Sequence, residues 1–266
     1  MPVVPTYFQK EMPAVSLLSE APTATLPIRK HKFPSPTLRL FLHDIAHEGS
    51  SIFLSNIKGN EDVEAQVQNV LNLLYSSECE RPGTRSVTIV LRSMNGVAYT
   101  TGIDLDHDHK ELHINLDYIA KTGSPKRHEV LGVICHELVH CFQWAANGTC
   151  PGGLIEGIAD WVRLRAGLAA KHWKQEAEGK WDGGYQHTGY FLEYLEQRFG
   201  EGTVRRINGC LRGKDYDEKR LFGDCCGGHK VEDLWKEYGE ELKEKERTKA
   251  DDGEAPEPIP THAAQP

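Results

Sequence analysis

No apolar run in this 266-residue chain reaches the roughly 20 residues that a helix needs to cross a bilayer. A membrane-spanning role is therefore not expected. Basic blocks are absent as well: 31 Lys and Arg face 39 Asp and Glu, for a net charge of -8 and a pI near 5.9. Such a surface has no positive field to draw in nucleic acid or an anionic membrane, so neither is expected as a partner. The seven cysteines are odd in number and include no C-x-x-C pair. This argues for reduced, mostly buried thiols rather than a disulfide framework. The N-terminal residues lack a charged start, an unbroken apolar stretch and a small-residue cleavage site. A cytoplasmic location is the expectation, with secretion as the alternative. No internal repeat is visible.

What is present suits one globular domain: 39% hydrophobic and 26% charged residues, enough to bury a sizeable core. Residues 1–36 are rich in Pro, Ser and Thr without a sustained period and read as a flexible arm. Residues 37–241 form the folded domain, and 242–266, charged and then rich in Pro and Ala, read as a disordered tail. Strands are predicted at 38–44, 85–91, 96–101 and 111–116, making a four-stranded sheet. A helix over 61–75 is predicted from Val63, Val67, Val70, Leu71 and Leu74, and further helices over 185–199, 201–211 and 231–238.

The most informative segment is His136-Glu137-Leu138-Val139-His140, an H-E-x-x-H string. On a helix, residues four apart share a face, so the imidazoles of His136 and His140 can grip one tetrahedral ion while Glu137 stands beside it as a general base. The helix is expected over 125–147, with Ser124 as N-cap, Pro125 at its first position and Asn147-Gly148 as its stop. Val130, Ile134, Leu138, Cys141 and Ala145 form its apolar stripe, with both histidines on the opposite side. A catalytic zinc usually takes three protein ligands. Gly152-Gly153 break the chain, and a second helix over 154–170 carries Glu156, Asp160 and Arg163 on one face. Glu156 is the expected third ligand and Asp160 the residue that fixes a ligand histidine's tautomer, with Asp160 itself as the alternative ligand. This spacing resembles that of gluzincin peptidases.

The stretch HELVHCFQWAANGTCPGGLIEGIADWVRLR, residues 136–165, resembles the plant basic secretory protein family, the peptidase of plants and bacteria, and especially its fungal members. Flanking segments at 96–100, 110–119, 181–185 and 231–235 are similar too, so the resemblance spans roughly 38–240. It implies an α+β, zincin-like metallopeptidase fold: a small N-terminal mixed sheet with helices, the H-E-x-x-H helix, and a mostly helical C-terminal lobe. The acidic charge departs from the family's "basic" name.

In zincins the strand before the active helix lies at the sheet edge above the cleft, so residues 112–115 are expected to pair with an extended peptide. His113 or Asn115 then faces either the substrate or the sheet interior. Gln143 and Trp144, one turn past His140, could shape the cleft. Tyr185 and His187, after the flexible Gly183-Gly184, are candidates for stabilising an oxyanion. The loop 104–109 (DLDHDH) could bind a second ion, although it lacks the glycine and distant glutamate of an EF-hand. The leading reading is a zinc endopeptidase with one catalytic Zn2+ and a peptide or protein substrate. The alternatives are a zincin-like binding module without catalysis and a zinc hydrolase of a non-protein amide or ester. Oligomeric state is not legible.

Overall fold

The computed structural model describes residues 32–251. Four strands form a mixed sheet: β1 (Thr37–Leu42), β2 (Ser86–Arg92), β3 (Ala98–Ile103) and β4 (Asp106–Asn115), in the order β1-β2-β4-β3. β1 and β4 flank β2 in parallel, and β3 runs antiparallel to β4 at the edge. The register aligns Leu40, Ile89, Leu112 and Thr100 in one row. Ile89 and Leu112 of that row are buried. β1, β2 and β3 fall within two residues of the expected ends, whereas β4 starts at Asp106, earlier than the expected 111, and takes in most of the loop expected at 104–109. The last strand in the sequence is not at the sheet edge as expected: β4 is internal, so residues 112–115 cannot accept an added strand, and β1 and β3 are the edges among the described residues.

Nine α-helices accompany the sheet among the described residues, and the protein is an α+β fold that is mostly helical. α1 (Glu48–Asn56) and α2 (Gly59–Leu74) separate β1 from β2, and α2 buries the predicted Val63, Val67, Val70, Leu71 and Leu74. α3 (Leu116–Lys121) follows β4. α4 (Lys126–Phe142) and α5 (Gly152–Arg165) carry the candidate metal residues. α6 (Tyr185–Phe199), α7 (Thr203–Cys210), α8 (Glu218–Cys225) and α9 (Val231–Asp251) complete the fold. The sequence pattern did not reveal α1, α3 or α8.

α4 departs from expectation at both ends. Pro125, not Ser124, is the cap residue. The helix stops at Phe142 because tertiary partners take over its last carbonyls: Thr84 Oγ1 donates to the carbonyl of Cys141 at 2.8 Å, and the Tyr75 hydroxyl donates to that of Phe142. Nor is the helix half-exposed: every residue from Val130 to Val139 is buried, His136 and Glu137 included. A helix enclosed on all sides carries no solvent stripe, so the amphipathic reading was too narrow.

α5 includes the glycines expected to interrupt it. A Cβ on Gly153 would lie 1.8 Å from the carbonyl oxygen of Asp182, so the glycine permits close contact rather than breaking the helix. The helix ends at Arg165, and beyond its cap Gly167 turns the chain at φ +73°, with Leu168 N donating to the carbonyl of Arg163. At the termini, Phe33 is buried, so the packed core begins inside the expected arm. α9 continues to Asp251, ten residues into the expected tail, and a Lys245–Glu241 pair at i,i+4 supports it. The remaining parts of the arm and tail, 1–31 and 252–266, lie outside the described residues. No helix among the described residues is long and apolar enough to cross a membrane.

Candidate metal centre

α4 and α5 pack side by side and bring three donor atoms together. His136 Nε2 lies 3.0 Å from Glu156 Oε2 and 3.2 Å from His140 Nε2, and His140 Nε2 lies 3.7 Å from Glu156 Oε2. This set could hold a metal ion. The helical spacing brings His136 and His140 together, and the second helix supplies the carboxylate.

Each imidazole is held from behind by its other nitrogen. Nδ1 of the buried His136 meets Oδ1 of Asp160, itself 3% exposed, at 2.6 Å. Nδ1 of His140 meets Oε1 of Gln143 at 2.7 Å, and the Gln143 amide donates to the carbonyl of Ile155 at 3.1 Å. Both contacts place a proton on Nδ1 and turn Nε2 toward Glu156. Asp160 therefore stands behind His136 rather than in the three-atom set. Gln143 is likewise not placed to meet substrate: it ties His140 to the backbone of α5.

Burial alone would lower the His136 pKa, but the hydrogen bonds from Asp160 and Glu156 outweigh it and lift the imidazole to about 9. Burial would raise Glu156, yet its contacts with His136 and His140 bring it down to about 2. The cluster is thereby held together as a buried imidazolium between two carboxylates.

Glu137 is 6% exposed and lines a cleft of ≈ 720 Å³ together with His136, His140 and Glu156. Thr100 on β3 fixes it: the Thr100 hydroxyl lies 2.8 Å from Glu137 Oε2 and 3.0 Å from the Glu137 carbonyl oxygen. One hydroxyl proton serves only one of these acceptors at a time. The sequence reading missed Thr100, since alternation alone does not say which face of β3 meets α4.

Tyr185 also lines the cleft, with its ring centroid 6.2 Å from that of His136 and the planes 14° apart. It opens α6 at φ +48°, an uncommon conformation for a non-glycine residue, next to Gly184 at +87°. Tight packing of α6 on α5 holds this turn in place. A Cβ on Gly157 would lie 2.3 Å from Thr188 Cγ2, and one on Gly189 3.2 Å from the Trp161 nitrogen. The negative charge of Glu156, followed by burial, raises the Tyr185 pKa and keeps the phenol protonated.

The other candidates lie elsewhere. His187 bonds the Lys180 carbonyl and packs on Trp235, a structural role. His113 stacks on Tyr99 with centroids 4.5 Å apart and bonds Glu111 on the sheet face away from α4. Asn115 caps α3 through Asp117 N and donates to the Gly96 carbonyl. Neither His113 nor Asn115 lines the cleft, which corrects their expected contact with substrate. Asp106 and Asp108 pair with Arg85, and the described residues form no second metal cluster there.

A family model described as peptidase of plants and bacteria matches residues 35–238. No curated protein and no solved structure gives a significant match.

Proposed function

Because this chain belongs to the peptidase family of plants and bacteria, we propose that it is a zinc-dependent endopeptidase, with His136, His140 and Glu156 holding the ion and Glu137 as general base. One observation carries the reading: the three donor atoms are spaced at 3.0, 3.2 and 3.7 Å. A tetrahedral zinc with bonds of about 2.0 Å has ligand atoms about 3.3 Å apart. Two imidazoles, one carboxylate and space in an open cleft form the donor set of a hydrolytic rather than a structural zinc.

A bound zinc would polarise the scissile carbonyl and make a water molecule acidic near neutral pH. The chain's own residues do the rest. Glu137, oriented by Thr100, takes the proton from the attacking water and passes it to the leaving amine nitrogen. Asp160 and Gln143 hold the imidazoles in the tautomer that presents Nε2. The Tyr185 phenol, kept protonated, donates a hydrogen bond to the oxyanion that develops on the former carbonyl.

β3 supports a peptide as the substrate. It pairs with β4 alone among the described residues, and its residues Ala98, Tyr99 and Thr100 line the cleft. An extended chain can add to this edge through backbone hydrogen bonds, which need no chain terminus. The test is cleavage of an unfolded protein by the zinc-loaded chain, abolished by a chelator and restored by zinc. Zinc binding without cleavage of any substrate would favour a binding module. Cleavage confined to small amides or esters would point to a different hydrolase.

A further inference from the structure

Beyond the metal residues, the cleft continues along α4 toward its N-terminus, where Tyr118, Glu129, Val133, Arg163, His172 and Trp173 line it. The reaction does not require charged residues there. Arg163 is 7% exposed and reaches this end because α4 carries Gly132, where a Cβ would lie 2.5 Å from the guanidinium. It lies over the Trp173 ring, with Cζ 4.9 Å from the centroid. Its Nε donates to the Leu168 carbonyl at 2.9 Å and its Nη2 to Glu129 Oε1 at 3.1 Å, which leaves Nη1 without a partner among the described residues. Glu129 Oε1 also accepts from the Tyr118 hydroxyl at 2.7 Å, and Oε2 has no partner among the described residues. One donor of Arg163 and one acceptor of Glu129 are thus left free of protein partners where these residues line the cleft, a pair that a ligand carrying both an acceptor and a donor can meet.

Resting on the peptidase reading, we propose that this end of the cleft is a specificity pocket for a side-chain amide, that of glutamine or asparagine in the bound peptide. The amide NH2 donates to Glu129 Oε2 and the amide oxygen accepts from Arg163 Nη1, while Val133 and the Trp173 ring flank the aliphatic stem. The paired Glu129 and Arg163 offset each other's charge, so a lysine or glutamate side chain would bury a charge with no opposite to match it. Leucine or phenylalanine would leave both polar groups without partners, the asymmetry that gives hydrogen-bonding pockets their selectivity.

The test measures binding rather than turnover. Hexapeptides that differ at one central position (Gln, Asn, Leu, Phe, Lys or Glu) are titrated onto the zinc-loaded Glu137→Gln chain. The Gln or Asn peptide is expected to bind at least about tenfold tighter than the others, and Glu129→Gln in the same background should erase most of that preference. Tightest binding by Leu or Phe would show that the apolar walls govern the pocket, and tightest binding by Lys that the Glu129 charge does. Either result, equal binding of all six, or no binding overturns the proposal. If Glu129→Gln does not fold, the six peptides on the Glu137→Gln chain still decide. An amide preference in binding with no cleavage by the native chain would sink the peptidase reading and leave the pocket standing.

Discussion

Replacing Asp160 with asparagine isolates what one buried charge does for the proposed metal centre. Asparagine keeps the shape, and its Oδ1 can still accept the His136 Nδ1 proton now held at 2.6 Å. The charge is what goes. A hydrogen bond to a charged group contributes about 1.5–3 kcal/mol against about 0.5–1.5 for a neutral one, so the expected loss is about 1–2 kcal/mol of metal binding. This agrees with the 10–100-fold drop in affinity typical of removing such a partner. A second effect opposes it at neutral pH. In the metal-free chain His136 is lifted to about 9, with Asp160 the largest influence raising it, so zinc must displace a proton at pH 7. Asp160→Asn eases that competition, and the deficit should therefore be smaller at pH 7 than at about pH 9.5, where the native imidazole has lost its proton. Competition with a chromophoric chelator at both pH values measures it. Equal affinity for native and variant chains at the higher pH would refute the argument.

Tyr185→Phe is expected to lower kcat by about 10²–10³, the cost of one oxyanion donor, with zinc content unchanged; an unaltered rate in peptide assays would remove Tyr185 from the chemistry. Gly157→Ala forces a Cβ to within 2.3 Å of Thr188 Cγ2. Its overpacking cost should be about 1–3 kcal/mol, read from urea unfolding, and an unmoved midpoint would show that α5 and α6 can separate freely. Zinc uptake at pH 7 should release about one proton from His136, measured calorimetrically in two buffers of different ionisation heat; no buffer dependence would contradict the raised imidazole. The same shift has a sign for stability. A pKa raised from 6.5 to about 9 on folding stabilises the metal-free chain fully below pH 6.5, and the contribution disappears as pH rises through 9. The unfolding midpoint of the metal-free chain should fall across that window, whereas that of the zinc-loaded chain should not show this loss.

The candidate metal residues were legible because their geometry is local: four residues make a helical turn, so His136 and His140 meet on α4, and Glu156 and Asp160 on α5. Which of the two acids joins the donor set depends on how the helices pack, and the packing turns on Gly153, Gly157 and Gly189, residues whose period says nothing about their role. The strands were legible from alternation, yet their order was not. β4 lies inside the sheet although β3 precedes it in sequence, because β2 pairs with β4 across the β3 hairpin, and this put His113 and Asn115 in the wrong place. Thr100, Gln143 and the Arg163–Glu129 pair act through contacts between elements, which no single-element pattern carries. α9 outran its expected end because charged residues at i,i+4 sustain a helix that hydrophobic periodicity does not mark.

The most direct test compares native and Glu137→Gln chains for bound zinc and for peptide hydrolysis in the same preparations. A carboxylate that moves protons without ligating the ion requires equal zinc in both and a rate in the variant lower by orders of magnitude. Loss of zinc in the variant, or hydrolysis that continues at the native rate, would contradict the assignment of Glu137 as the base.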